Sequence, residues 1–159
     1  MVKGIVGSVV GIVVVLLALL VIGMRWKVSP ILTAVRRFNR AVTNPGVMKN
    51  AGSPGDQNAV ICHVGRTSGR TYRTPVTTIP TKSGFLIALP YGTQADWLRN
   101  VLAAGSATVV TDGEELDVTD PRIVATADVA DLLPGSTRRT LRIFGVGECL
   151  HLEKVSTPA

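Results

Sequence analysis

Hydrophobic and polar positions fall into three regimes along the chain. From Gly4 to Met24 there are 21 consecutive residues without a charge. A helix of that length reaches about 32 Å, enough to cross a hydrocarbon core of about 30 Å. The run ends in Gly23-Met24-Arg25-Trp26-Lys27, with no small-x-small cleavage site, so it reads as a retained anchor rather than a signal peptide. Beyond it, Ser29-Pro30 opens a helix on which Ile31, Leu32, Val35, Phe38 and Val42 recur at helical spacing. Arg36, Arg37 and Arg40 take the other side, and Asn44-Pro45-Gly46 is expected to end it. Such a helix either lies on anionic headgroups or packs its apolar face on the domain that follows.

The period then changes to two. Short β-prone runs occupy Ala59 to Val64, Thr71 to Thr81, Phe85 to Leu89, Ala107 to Thr111, Glu115 to Val118, Arg122 to Thr126 and Cys149 to Val155. Asp112-Gly113 marks a tight hairpin, and Pro75 and Pro80 mark bulges or edge positions. Helices are expected over Asp96 to Ala104, stopped by Gly105, and over Asp128 to Leu133. Several short strands and few helices predict an α+β domain around a small antiparallel barrel. The organisation is therefore an anchor over 1–27, an amphipathic helix and linker over 28–57, and a single domain over 58–159.

Charge sharpens this division. Residues 1–50 hold seven Lys or Arg and no Asp or Glu, so the formal charge of +6 belongs to the membrane-proximal part. Positive residues following the span place the C-terminal domain in the cytoplasm, as a single-pass cell-membrane protein. The near-neutral remainder lacks a basic-aromatic surface, which excludes nucleic acid as a partner. Cys62 and Cys149 read as buried thiols, and with His63 and His151 isolated in sequence no metal site is expected. Gly7-x-x-x-Gly11 and an exposed strand edge leave room for a homodimer.

Candidate chemistry concentrates in two stretches. Gly65-Arg66-Thr67-Ser68-Gly69-Arg70-Thr71-Tyr72-Arg73-Thr74-Pro75 combines a glycine turn, hydroxyls and forked guanidinium donors, equipment for a phosphate or carboxylate. It lacks the Gly-Lys-Ser/Thr ending of a Walker A loop, and a solvated hairpin turn decorated with basic residues has the same composition. Leu89-Pro90-Tyr91-Gly92 followed by Asp96-Trp97-Leu98-Arg99-Asn100 sets a glycine turn against a helix start, with Asp96 as its N-cap.

In this order and at this separation, the two stretches resemble the deazaflavin-dependent nitroreductase family of flavin/deazaflavin oxidoreductases. The resemblance covers Ala59 to Val110 well and extends loosely to Val155. It implies a split β-barrel that binds the deazaflavin coenzyme F-420, with FMN as the alternative. Arg66, Ser68, Gly69, Arg70 and Arg73 would hold the phosphate and acidic tail. Thr74, Pro75, Pro90, Tyr91, Gly92, Trp97 and Asn100 would lie near the ring. The implied activity is hydride transfer to a lipophilic acceptor, such as a quinone or nitro compound, which needs no nucleophile or carboxylate pair. The other reading is a binding module that holds a flavin, haem or fatty acid without turnover.

Overall fold

The structure, a computed structural model, describes Val14, Val15 and residues 17–155. Six antiparallel strands form a closed barrel: β1 (Asn58–Val64), β2 (Thr71–Pro80), β3 (Gly84–Ala88), β4 (Ser106–Thr111), β5 (Glu114–Ala125) and β6 (Glu148–Lys154). Their order in space is β1-β2-β3-β6-β5-β4, and β4 returns to pair with β1. This is the arrangement expected of a split barrel. Closure also pairs the strand edges that would otherwise be open to another chain.

Alternation puts one apolar set inside. Ile61, Phe85, Ile87, Val109, Val118, Leu150 and Leu152 meet there, joined by Leu98 and Val101 from helix α4 (Asp96–Ala104). Asp112 and Gly113 both adopt positive φ, 51° and 80°, which a two-residue turn between right-twisted strands requires. At Gly84 a Cβ would stand 1.9 Å from the Leu152 carbonyl oxygen, so only glycine lets β3 start this close to β6.

Three expectations about local structure are corrected. The helix expected over Asp128 to Leu133 is only a 3-10 turn, Ala130–Leu132, and a full helix follows it, α5 (Gly135–Ile143). Helix α5 buries only Leu141 and is otherwise Ser, Thr and Arg with an exposed Ile143, so its sequence carries almost no apolar period. It nevertheless matters. With Leu133 and Val146 it covers Leu86 and Cys149, which is why β3 is buried on both sides.

The two runs expected on either side of Asp120-Pro121 form one strand, β5. Its register shifts between Thr119 and Arg122, where Asp120 takes φ 50° and Pro121 has no N–H to give the ladder.

Nor does Asn44-Pro45-Gly46 stop the arm that precedes the barrel. Helix α2 (Ser29–Phe38) passes through a π-helical turn, Asn39–Thr43, into α3 (Asn44–Val47). The wider turn brings Pro45 into the first turn of the new segment, where a missing N–H leaves no bond unmade.

Helix α1 (Leu17–Arg25) meets the following helices at 113°. The bend is a Schellman stop: Val28 N–H bonds the Gly23 carbonyl (2.9 Å), Lys27 N–H bonds that of Met24 (3.1 Å), and Lys27 takes φ 51°. Among the described residues no single helix is long and apolar enough to cross a membrane; α1 and the Ser29–Val47 segment pass by length and composition only together. Of the span expected over Gly4–Met24, Gly4–Val13 and Leu16 lie outside the described residues.

Of the amphipathic helix's apolar side, Leu32 is buried and Ile31 and Val35 are half-buried, and polar groups of this segment and of the bend before it bond to the barrel domain. Arg25 Nη1 donates to the Arg142 carbonyl (2.8 Å), Lys27 pairs with Glu148 (3.7 Å), and Asn39 Nδ2 donates to the Tyr91 hydroxyl (2.6 Å). Leu32 is buried, whereas Phe38 and Val42 are each 59% exposed.

Candidate functional site

The β1–β2 hairpin and the arm enclose an open cleft of about 940 Å³. On the barrel side the hairpin loop is closed by its own backbone. Gly65 N–H donates to the Arg70 carbonyl and Gly69 N–H to that of Gly65, both at 2.8 Å. Gly69 turns the chain at φ 65°. A Cβ at Gly65 would lie 2.5 Å from Ser68 Oγ and 2.7 Å from the Tyr72 ring, so any other residue there would displace both side chains. Arg70 N–H donates to Ser68 Oγ (3.3 Å) and Arg66 N–H to Asn100 (3.2 Å). Much of the loop's backbone donor set is therefore spent on the protein itself, which leaves ligand recognition chiefly to side chains.

Those side chains converge. Arg66, Ser68, Arg73, Thr74 and Pro75 line the cleft from the first sequence stretch, and Tyr91, Trp97 and Asn100 line it from the second. Gly69, Arg70, Pro90 and Gly92 are not among the lining residues. Gly69 and Arg70 occupy the exposed end of the hairpin loop. Gly92, at φ 70° and bonded through its N–H to the Leu89 carbonyl (3.0 Å), makes the turn that brings Tyr91 in.

Asp96 is not the N-cap. Ala95 holds that position, without a side-chain cap, and the Asp96 carboxylate instead meets Arg66 (3.4 Å) and Arg40 (3.6 Å). Both pairs are largely exposed, so each adds at most about 1 kcal/mol. They do leave two guanidiniums sharing one carboxylate. Among the described residues four arginines line the cleft (Arg36, Arg40, Arg66 and Arg73), and Asp96 is its single carboxylate. Such an imbalance favours an anion.

The floor is polar and buried. Asn100 (6% exposed) accepts from Arg66 Nη1 at 2.8 Å, and its amide nitrogen stands 3.2 Å from His63 Nδ1. His63 (5% exposed) lies 3.2 Å from Thr74 Oγ1 through Nε2 and stacks on Tyr72 at 5.8 Å between centroids. Burial holds its pKa below the ordinary imidazole value of 6.5. The neutral ring therefore contributes stability that is complete above pH 6.5 and is lost as pH falls toward the lowered folded-state value.

Sequence reasoning missed His63 and the arm residues Arg36, Asn39 and Arg40. His63 carried one usable signal: it is a polar residue in the otherwise apolar run Ala59 to Val64, paired across the hairpin with Tyr72. Nothing in the chain's local pattern places the arm over the barrel. Cys62 is half-buried and Cys149 buried, both free; burial pushes the Cys149 thiol up, against a weak hydrogen bond with the Thr126 hydroxyl. Among the described residues no group of His, Cys, Asp and Glu is arranged to hold a metal ion.

No protein-family model matches the chain, and no curated protein does. Among solved structures it is similar to one described as a domain-swapped dimer, at 12% identity over 76% of this chain and 98% of that one, with a TM-score of 0.47. It is also similar to an F-420-H2-dependent reductase, at 14% identity over 61% of this chain and 94% of that one, with a TM-score of 0.39.

Proposed function

We propose that this protein is a deazaflavin-dependent oxidoreductase held at the membrane by its N-terminal segment, with the barrel in the cytoplasm. One observation carries the reading: two separate stretches of sequence line one cleft, in which, among the described residues, four guanidiniums face a single carboxylate. That donor set fits coenzyme F-420. Arg66 and Arg73, with Arg36 and Arg40 opposite, suit a phosphate and an acidic tail, because forked cations bind oxyanions bidentately. Trp97, Pro75 and Tyr91 offer apolar and aromatic surface to a ring system. FMN, with one phosphate and no acidic tail, would use fewer of these charges.

When bound in its reduced form, the deazaflavin supplies a hydride. The chain's task is then to position and shield. Arg66, braced by Asn100, would hold the anionic end, and Asn39, bonded to Tyr91, would face the cofactor from the arm. The acceptor is lipophilic, a quinone or nitro compound, because the apolar N-terminal run and the exposed Phe38 and Val42 suit delivery from a bilayer.

The test is fluorescence titration of the full-length protein with F-420, followed by mixing with the reduced coenzyme and a menaquinone analogue. Binding and oxidation support the proposal. Binding without oxidation by quinone or nitro acceptors supports the non-catalytic module, and a purified protein carrying flavin or haem sinks the deazaflavin assignment.

A further inference from the structure

The hydrogen bonds on the cleft floor determine one another. Asn100 Oδ1 accepts twice from Arg66, from the backbone N–H at 3.2 Å and from Nη1 at 2.8 Å. A guanidinium and an amide N–H can only donate, so this atom must be the oxygen and the other the amide nitrogen. The amide nitrogen can only donate as well, and it faces His63 Nδ1 at 3.2 Å. His63 Nδ1 must therefore accept. The ring is neutral, its single proton sits on Nε2, and that proton points to Thr74 Oγ1 at 3.2 Å. The network is closed: among the described residues no buried side-chain nitrogen or oxygen lacks a partner.

We propose that His63 is a positioning residue for anion binding: as the Nε2–H tautomer it orients Asn100, and through it Arg66, toward the ligand. The inference rests on reading the cleft as the site of an anionic cofactor. Uptake of one proton at Nδ1 turns the acceptor into a donor facing a donor. Asn100 must then rotate or withdraw, and Arg66 loses the oxygen that braces it.

The surroundings oppose that proton. Arg66, Arg73, Arg36 and Arg40 line the same cleft, and its one carboxylate, Asp96, is engaged by Arg40 and Arg66. Tyr72 and Tyr91 present neutral rings. On the other side of β1, Asp117 is the acidic neighbour, and its carboxylate accepts from Thr108 at 2.9 Å. The ring is thus held neutral near pH 7 and charges only in acid. Anion binding should weaken as pH falls through the ring's titration, with a slope below the tenfold per pH unit that one fully coupled proton would set.

The experiment has two arms on the full-length chain. Nitrogen NMR of His63 without ligand should report the Nε2–H tautomer at neutral pH. The Asn100 side-chain amide signals should move with the ring as it is titrated with acid. A Nδ1–H tautomer, or Asn100 signals indifferent to ring protonation, overturns the proposal whatever the cleft binds. The second arm measures F-420 affinity between pH 5 and 8. His63→Asn places an amide oxygen near the Nδ1 position and should retain neutral-pH affinity while flattening the profile. His63→Leu should weaken affinity about tenfold or more at neutral pH, as expected for loss of an aligned charge-assisted contact. A His63→Asn profile that falls like the wild type rejects the role. If F-420 binds at no pH, the cofactor reading fails and the tautomer measurement alone decides this one.

Discussion

On the barrel side of the cleft, His63 and Asn100 are 5% and 6% exposed, and Arg66 is braced by a buried oxygen. On the arm side, Arg40 is 79% exposed and, among the described residues, is held by a carboxylate that is itself 60% exposed. Below the barrel wall lie Leu98 and Val101, fully buried, whereas the arm between Ser29 and Val47 buries only Leu32. The same residue type, arginine, therefore serves two physical roles. A braced guanidinium meets a ligand with little left to order. An exposed one must surrender side-chain freedom on binding and is screened by salt. On the proposed function, affinity would belong to the barrel wall and coverage to the arm.

The most severe way to break this contrast is to remove packing on each side in turn. Leu98→Ala empties a position of 0% exposure under the helix that carries Asp96, Trp97 and Asn100. It should destabilise the fold by about 2–5 kcal/mol in denaturant titration. Phe38→Ala, at 59% exposure on the arm, should stay within about 0.5 kcal/mol of the wild type. Equal losses would mean that the arm is part of the barrel's cooperative unit and that the contrast is false.

A smaller effect separates the two kinds of arginine. Arg66→Ala removes the guanidinium bonded to Asn100 and should weaken F-420 binding by about 1.5–3 kcal/mol, with only modest dependence on salt. Arg40→Ala should weaken it by under about 1 kcal/mol, and the difference should fade at high ionic strength. Calorimetry at two salt concentrations checks both. If Arg40 proves the larger contributor, the acidic part of the ligand lies against the arm.

The barrel wall was also the part the sequence made legible. Its strands alternate, Asp112-Gly113 can turn in few ways, and both stretches that supply cleft-lining residues are continuous in the chain, so local pattern sufficed for them. Legibility ended where placement depends on distant partners. Helix α5 hides behind Ser, Thr and Arg because a single leucine fastens it, and β5 looked like two strands because Pro121 interrupts a ladder that resumes beyond it. His63 looked isolated because Thr74, Asn100 and Tyr72 reach it only after β1 pairs with β2 and α4 packs beneath. The arm posed the hardest case: its helical period was plain, but period alone does not say which side meets a protein. Polar contacts with Tyr91 and Asp96 decide that, and they lie 52 residues or more away in the chain.

The smallest effect concerns how the arm is latched. Asn39 Nδ2 donates to the Tyr91 hydroxyl at 2.6 Å, a partly buried bond joining the π-helical turn to the rim of the barrel. Tyr91→Phe deletes that hydroxyl and leaves the ring's apolar surface in place. A net bond of this kind contributes about 0.5–1.5 kcal/mol. Because so little of the arm is buried, the loss should appear as local opening rather than as a lower global stability. Amide exchange across residues 29–47 should accelerate by up to roughly tenfold, while exchange in β3 and β6 stays unchanged. Ligand dissociation should quicken in step, since a looser arm covers the cleft for less of the time. Unchanged exchange in the arm would assign the latch to Arg25 and Lys27 near α5 and β6, and the coverage role of the π-helical turn would be withdrawn.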